Sequence, residues 1–298
     1  MKISKMIILC ILLFSLISCN KNKNQKVLSH REGEMTIYVD PSNKNLLEAL
    51  TEIYVMKFPE VQFDFVYKPE NQILQDLLDT VAYAAFINTP LSEQQTKYLQ
   101  QKSDVTPRST LLAYDAAVFI TSIENPKNEI SMDEIRTGIL EENNKIIFDN
   151  GNSGNYNTVK DKLNLKIPEG KSVQALNNPD EVIDFVQKSK TSIGVIGLDV
   201  VSEEDSPKVK ELLTKIKILS VINPENEAIS PSAKNILQMK YPFFKGVYFI
   251  VREPGFGIGS GFSRFAGSQQ GQLIVRRAGL QPNYLWERQV QVNLKDIQ

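Results

Sequence analysis

Three observations predict an α/β fold in two lobes. From Met35 onward, short apolar runs alternate with amphipathic ones; such alternation builds a largely parallel sheet with helices on its faces. It comes in two series with a return of the chain, and a body of about 260 residues is long enough for more than one core. No internal repeat, heptad run or long second apolar segment interrupts it.

In the first series Met35–Val39 reads as a strand, Leu46–Lys57 as a helix, Val61–Val66 as a strand, Gln72–Asp79 as a helix and Ala82–Ile87 as a strand. The strands are rich in β-branched and aromatic residues, whereas the helices repeat their apolar positions every three or four residues. The second series runs Ala116–Thr121 (strand), Ser131–Gly138 (helix), Ile146–Phe148 (strand), Tyr156–Leu163 and Pro179–Lys188 (helices) and Ile193–Ile196 (strand). Ser131 with Glu134 forms a capping box, and Pro179 sits where a first helical turn tolerates it. A charged helix follows over Pro207–Lys215, then strands over Ile216–Ile222 and Val247–Val251. Ile258–Ala266 and Gln270–Ala278 read as helices, the second stopped by Gly279, and Glu287–Leu294 adds a weakly alternating strand.

The first 19 residues set the expected compartment. Lys2 and Lys5 precede an apolar run, Met6–Ile17, that contains Cys10. At about a dozen residues the run falls short of the roughly 20 needed to span a bilayer, which is the pattern of a signal peptide. It ends in Leu16-Ile17-Ser18-Cys19, similar to the lipobox of bacterial lipoproteins. Residues 1–18 are then a leader and Cys19 the lipidated first residue of the mature chain. Cys19 would be its only cysteine, which excludes a disulfide framework and cysteine metal or thiol chemistry. Residues 19–34, polar and without hydrophobic period, read as a tether.

The composition narrows the function classes. The net charge is −1 with the signs evenly mixed, which argues against a nucleic-acid partner. His30, the only histidine, falls in the tether, so no histidine-centred base, triad or zinc site is expected in the folded body. The acids Glu141-Glu142 and Glu203-Glu204-Asp205 sit in polar text and read as solvated loops. Gly255-Phe256-Gly257-Ile258-Gly259-Ser260-Gly261 follows a strand and precedes a helix, but lies outside an opening βαβ unit; it reads as a flexible connection and contact surface instead of a nucleotide loop. Trp286 reads as a packing anchor. No enzymatic activity, cofactor or metal is expected.

Several segments resemble the phosphate-binding family of periplasmic solute-binding proteins of ABC importers. Near the end these are Tyr241-Pro242, the strand ending at Val251, Phe262–Phe265, Gly271-Gln272-Leu273-Ile274-Val275 and Ala278-Gly279-Leu280-Gln281-Pro282. Earlier, Ser192–Gly197, Tyr114–Ile120 and the turn Thr89-Pro90-Leu91-Ser92 with Glu93 are also similar to family motifs. The resemblance implies a type II periplasmic binding protein with a ligand cleft between two α/β lobes. Lobe 1 would combine residues 35–113 with 246–298, and lobe 2 would be residues 114–245. It further implies a lipid-anchored monomer facing the periplasm that delivers phosphate to an ABC permease of the inner membrane.

The family holds phosphate with backbone N–H groups and hydroxyls, one arginine, and one aspartate that accepts the ligand's proton. Carried onto this chain, the expected ligand residues are Ser42, Asn43, Asn88, Ser153, Gly154 and Asn155. Ser42 can equally cap the helix at Leu46. The chain departs from the pattern in three places. Lys68-Pro69-Glu70-Asn71 replaces a glycine and serine cluster, and Pro69 brings no N–H while Glu70 repels an anion. Asn88 stands for the aspartate, and an amide takes no proton from a ligand. Asp149 stands where the arginine is expected; a carboxylate about 4 Å from a phosphate repels it by roughly 4 kcal/mol at an effective dielectric of ~20. Arg108 can supply a cation instead or be a solvated surface arginine. These departures keep a second expectation open: a diverged accessory or sensing lipoprotein of the envelope with another ligand or none.

Overall fold

The computed structural model describes residues 28–140, 145–169, 172–203 and 205–284. The leader, Cys19, the start of the tether, Glu141-Glu142, Glu204, Trp286 and the expected tail strand lie outside them.

The first part of the chain is β1 (Glu32–Val39), α1 (Lys44–Lys57), β2 (Glu60–Tyr67), α2 (Glu70–Leu78), β3 (Ala84–Ile87) and α3 (Glu93–Ser103). β1 lies between β2 and β3 and pairs in parallel with both. All four residues of β3 are buried, as expected of a strand covered on both faces. In α1 the positions Leu46, Leu47, Leu50, Thr51 and Tyr54 are buried, the helical spacing that lays one stripe on the sheet.

β4 (Arg108–Ser122) is the element that joins the two halves. Up to Ala116 it pairs antiparallel with the returning strand near the chain's end, and from Ala117 it pairs antiparallel with a strand of the second series. That series is β5 (Glu129–Ser131), α4 (Met132–Leu140), β6 (Ile146–Phe148), α5 (Gly154–Lys162), α6 (Pro179–Lys188), β7 (Ile193–Gly197), α7 (Pro207–Leu212), β8 (Ile216–Ile218), β9 (Ser220–Ile222), β10 (Ala228–Ile229) and α8 (Ala233–Leu237). β11 (Phe244–Val251) then returns beside β4, followed by α9 (Ile258–Ala266), α10 (Gln269–Arg277) and β12 (Gln281–Pro282). The strand order is β2-β1-β3-β11-β4-β7-β6, with β12 and β8 also on β4, and β10-β9-β5 form a separate small sheet.

Four expectations are corrected. The sheet is mixed, because β4 and β11 run antiparallel to their neighbours where the chain crosses between halves. The single strand expected over Ile216–Ile222 divides, its first half on β4 and its second between β5 and β10, so one apolar run serves two sheets. The tether ends earlier than residue 34: β1 starts at Glu32, and the His30 carbonyl accepts the Tyr54 hydroxyl at 2.6 Å while its ring packs edge-on against Phe58 and Phe256. The glycine run before α9 is a packed cap, because the Glu253 carboxylate accepts the Gly259 and Ser260 N–H groups at 2.8 and 2.9 Å. A Cβ on Gly261 would come within 2.5 Å of Tyr54 Oη.

Candidate ligand cleft

The loops at the carboxyl ends of β1, β2, β3 and β6 meet where the two halves face each other, the place at which open α/β sheets take ligands. β1 ends at Val39 and the chain turns through Asp40 into a 3-10 turn, Pro41–Asn43. Asp40 is fully buried. Its Oδ1 accepts the Ser42 N–H at 2.9 Å, and its Oδ2 accepts the N–H of Glu70 at 3.0 Å and of Gly154 at 3.1 Å. Glu70 opens α2 and Gly154 opens α5, so both donors are first-turn N–H groups without intrahelical partners, and they come from opposite halves of the molecule.

Asn88 follows β3. Its Oδ1 accepts Ser42 Oγ at 3.2 Å and Asn43 Nδ2 at 3.1 Å, while its Nδ2 donates to Asn43 Oδ1 at 3.1 Å and to the Gly246 carbonyl at 3.0 Å. An amide offers two donors and two acceptor positions, so its capacity is filled by protein. Gly154 lies directly on this amide: a Cβ there would be 2.0 Å from Asn88 Oδ1, and only glycine allows the approach.

The loop after β6 is organised around Asp149. Ser153 Oγ and Asn155 Nδ2 donate to its two oxygens, each at 2.7 Å, and Ser153 Oγ also caps α5 by accepting the Tyr156 N–H at 3.2 Å. Burial first, and the negative charge of Asp40 with it, push the Asp149 carboxyl up to about 6 against the pull of those hydrogen bonds. Glu70 is buried too. Its Oε1 accepts the Asn88 and Thr89 N–H groups at 2.8 and 2.6 Å, and its Oε2 accepts Asn157 Nδ2 from across the cleft at 3.2 Å. Burial and Asp40 raise it above the usual carboxylate range.

A buried cation balances these acids. Lys245 of β11 lies 2.8 Å from Asp115 Oδ2 of β4 and donates to Ser42 Oγ at 3.3 Å. Burial pulls its ammonium down, but Asp115, Asp199 and Asp40 outweigh it and hold the lysine above its ordinary value. Asp199, in the 3-10 turn after β7, is pushed well above the carboxylate range by burial and by Asp115. Asn155 Oδ1 and Asp199 Oδ1 are buried without a hydrogen-bond partner.

All six expected ligand residues therefore meet in one cluster. Ser42 is not the cap of α1; it spends its hydroxyl on Asn88, and Asp40 caps the preceding turn. Arg108 is corrected as a cleft cation, because its guanidinium donates to Ser260 Oγ at the start of α9. Sequence reasoning missed Asp40, Asp115, Asp199 and Lys245, although Asp115 and Lys245 each interrupt an otherwise apolar strand. Buried charges must be paired, so a charge that breaks an apolar strand signals, from sequence alone, an opposite charge beside it. Cavities of about 350 to 860 Å³ open elsewhere on the surface, lined by residues outside this cluster.

The sequence matches the model of a family described as the PBP superfamily domain over residues 25–270. No curated protein matches it. Among solved structures it is similar to a putative phosphate ABC transporter substrate-binding protein with bound phosphate from Clostridium perfringens, at a TM-score of 0.66 and 15% identity over 84% of this chain and 99% of the other. It is similar to an ABC-type phosphate transport receptor from Vibrio cholerae, at 0.60 and 14% over 84% and 100%. It is also similar to PstS from Borrelia burgdorferi, at 0.52 and 21% over 84% and 99%. At these identities the likeness is one of fold, the two-lobed α/β architecture of periplasmic binding proteins.

Proposed function

The chain belongs to the PBP superfamily, and from that premise we propose that it is an extracytoplasmic solute-binding protein whose cleft is built for an oxyanion, phosphate first, as the binding component of an ABC importer. The observation that carries this is the convergence of the Ser42, Glu70 and Gly154 N–H groups, from both halves of the molecule, on a single carboxylate. Helix starts aimed at one negative group are the physical requirement of a dehydrated oxyanion. The solved structures of similar fold, described as phosphate-binding or phosphate-transport proteins, support phosphate as the first ligand to try. The protein binds and delivers; it performs no catalysis. Cys19 carries the lipid that holds it to the membrane, and the polar stretch that starts at Asn20 leads from there to the folded body.

A second reading, an accessory or sensing protein of the envelope with another ligand or none, is favoured by one observation: the group in the cradle is the chain's own Asp40, with Glu70 and Asp149 buried beside it.

Calorimetric titration of phosphate into the purified protein, with sulfate as control, separates the two. Binding of phosphate at micromolar concentration, about −8 kcal/mol, supports the importer. No heat from either anion in a folded sample moves the assignment to the accessory reading.

A further inference from the structure

We propose that the Asp40 carboxylate is a resident anion, which fills the oxyanion cradle from within the chain, closes the two lobes without a free ligand and sets what the cleft accepts. The inference rests on reading the cleft as an oxyanion cradle and adds the identity of its occupant.

Three sets of contacts carry it. Asp40 takes N–H donors from both halves, so its carboxylate does what a bound oxyanion does in a two-lobed binding protein: it is the common acceptor that makes closure favourable. Two of the neighbouring groups are saturated by protein. Asn88 uses all four of its hydrogen-bonding positions, and the Ser153 hydroxyl is committed to Asp149. Closure is completed by further bonds across the cleft, Asn157 Nδ2 to Glu70 Oε2 at 3.2 Å and to Asn71 Oδ1 at 3.1 Å, and by the seat of Gly154 on Asn88.

The consequence is a specificity rule. A free dianion must displace a tethered carboxylate that has no translational entropy to lose, and must do so beside the buried acids Asp149 and Glu70, whose negative charge repels it. Asp40 therefore acts as an internal competitor for phosphate and as a latch.

The test uses the full chain in detergent, as wild type, Asp40→Ala and Asp40→Asn. Two readouts are taken: phosphate affinity by calorimetry, and the distance between spin labels on exposed positions of the two lobes, Glu52 and Asp184. The wild type is expected to show a single short distance without ligand and to bind phosphate at least about tenfold more weakly than Asp40→Ala, which also opens the distribution. If the wild type binds phosphate as tightly as Asp40→Ala, the resident anion is overturned and the phosphate reading survives. If neither binds but Asp40→Ala opens, the resident anion stands and phosphate falls. If neither binds and the distance does not change, the inference is overturned. Should Asp40→Ala fail to fold, Asp40→Asn, which keeps the volume and loses the charge, is read by the same criteria.

Discussion

Asp149 shows how one residue in this cleft sets a pH dependence. Its folded carboxyl holds a proton up to about pH 6, whereas the unfolded chain releases it near the ordinary aspartate value of 3.8. Below about pH 4 both states are protonated and Asp149 has no effect on stability. Between those values the folded state binds more protons than the unfolded one, so stability falls as pH rises and levels off above about 6. Asp149→Asn removes this loss. Its amide can keep the Ser153 bond, and a flip of Asn155 turns the presently unpartnered Oδ1 toward the new Nδ2. Urea unfolding should find the variant more stable than wild type by roughly 2 to 3 kcal/mol at about pH 7.5 and equal to it near pH 4. A variant less stable at the higher pH would show that the carboxylate form of Asp149 stabilises the fold. Asp149, Asn88 and Glu70 were legible in the sequence as departures from an anion site. Asp40 was not, because a buried aspartate before a turn looks in sequence like any capping residue.

The clearest sequence signals for elements were the periodic ones. Pro179–Lys188 and Ile258–Ala266 occur with the boundaries expected, and the Ser131 and Glu134 capping box forms with both of its bonds. α3 was missed because it has no apolar stripe: Leu99 is its only buried residue, and what defines it is the reciprocal cap between Ser92 and Gln95. β4 was read too short, since its first half is partly exposed where it pairs with β11 near Arg108. The glycine run ahead of α9 was misread because the partner of its N–H groups, Glu253, lies upstream at the end of β11. That cap gives a prediction at this scale. Glu253→Ala leaves the Gly259 and Ser260 N–H groups without their acceptor and should lower stability by about 1 to 2 kcal/mol in urea unfolding. An unchanged midpoint would mean that α9 is held by packing alone.

At the scale of the molecule, two α/β series and a returning chain were enough to give the two-lobed architecture, because a cleft at the carboxyl ends of the strands follows from that topology. The mixed character of the sheet was hidden, since pairing direction depends on which strands the crossover places side by side. The state of the cleft was hidden for the same reason: it depends on contacts between Asp40 and Gly154, 114 positions apart. β4 and β11, the shared strands, carry Asp115 and Lys245, so the buried ion pair sits at the crossing itself. The central claim is that the lobes close on a carboxylate supplied by the chain. Hydrogen exchange at the Gly154 amide of the ligand-free protein tests it most directly, because that N–H has Asp40 as its acceptor only when the lobes meet. Exchange as slow as that of the buried strands β3 and β7 is the result predicted, and exchange at the rate of an exposed loop amide would contradict it.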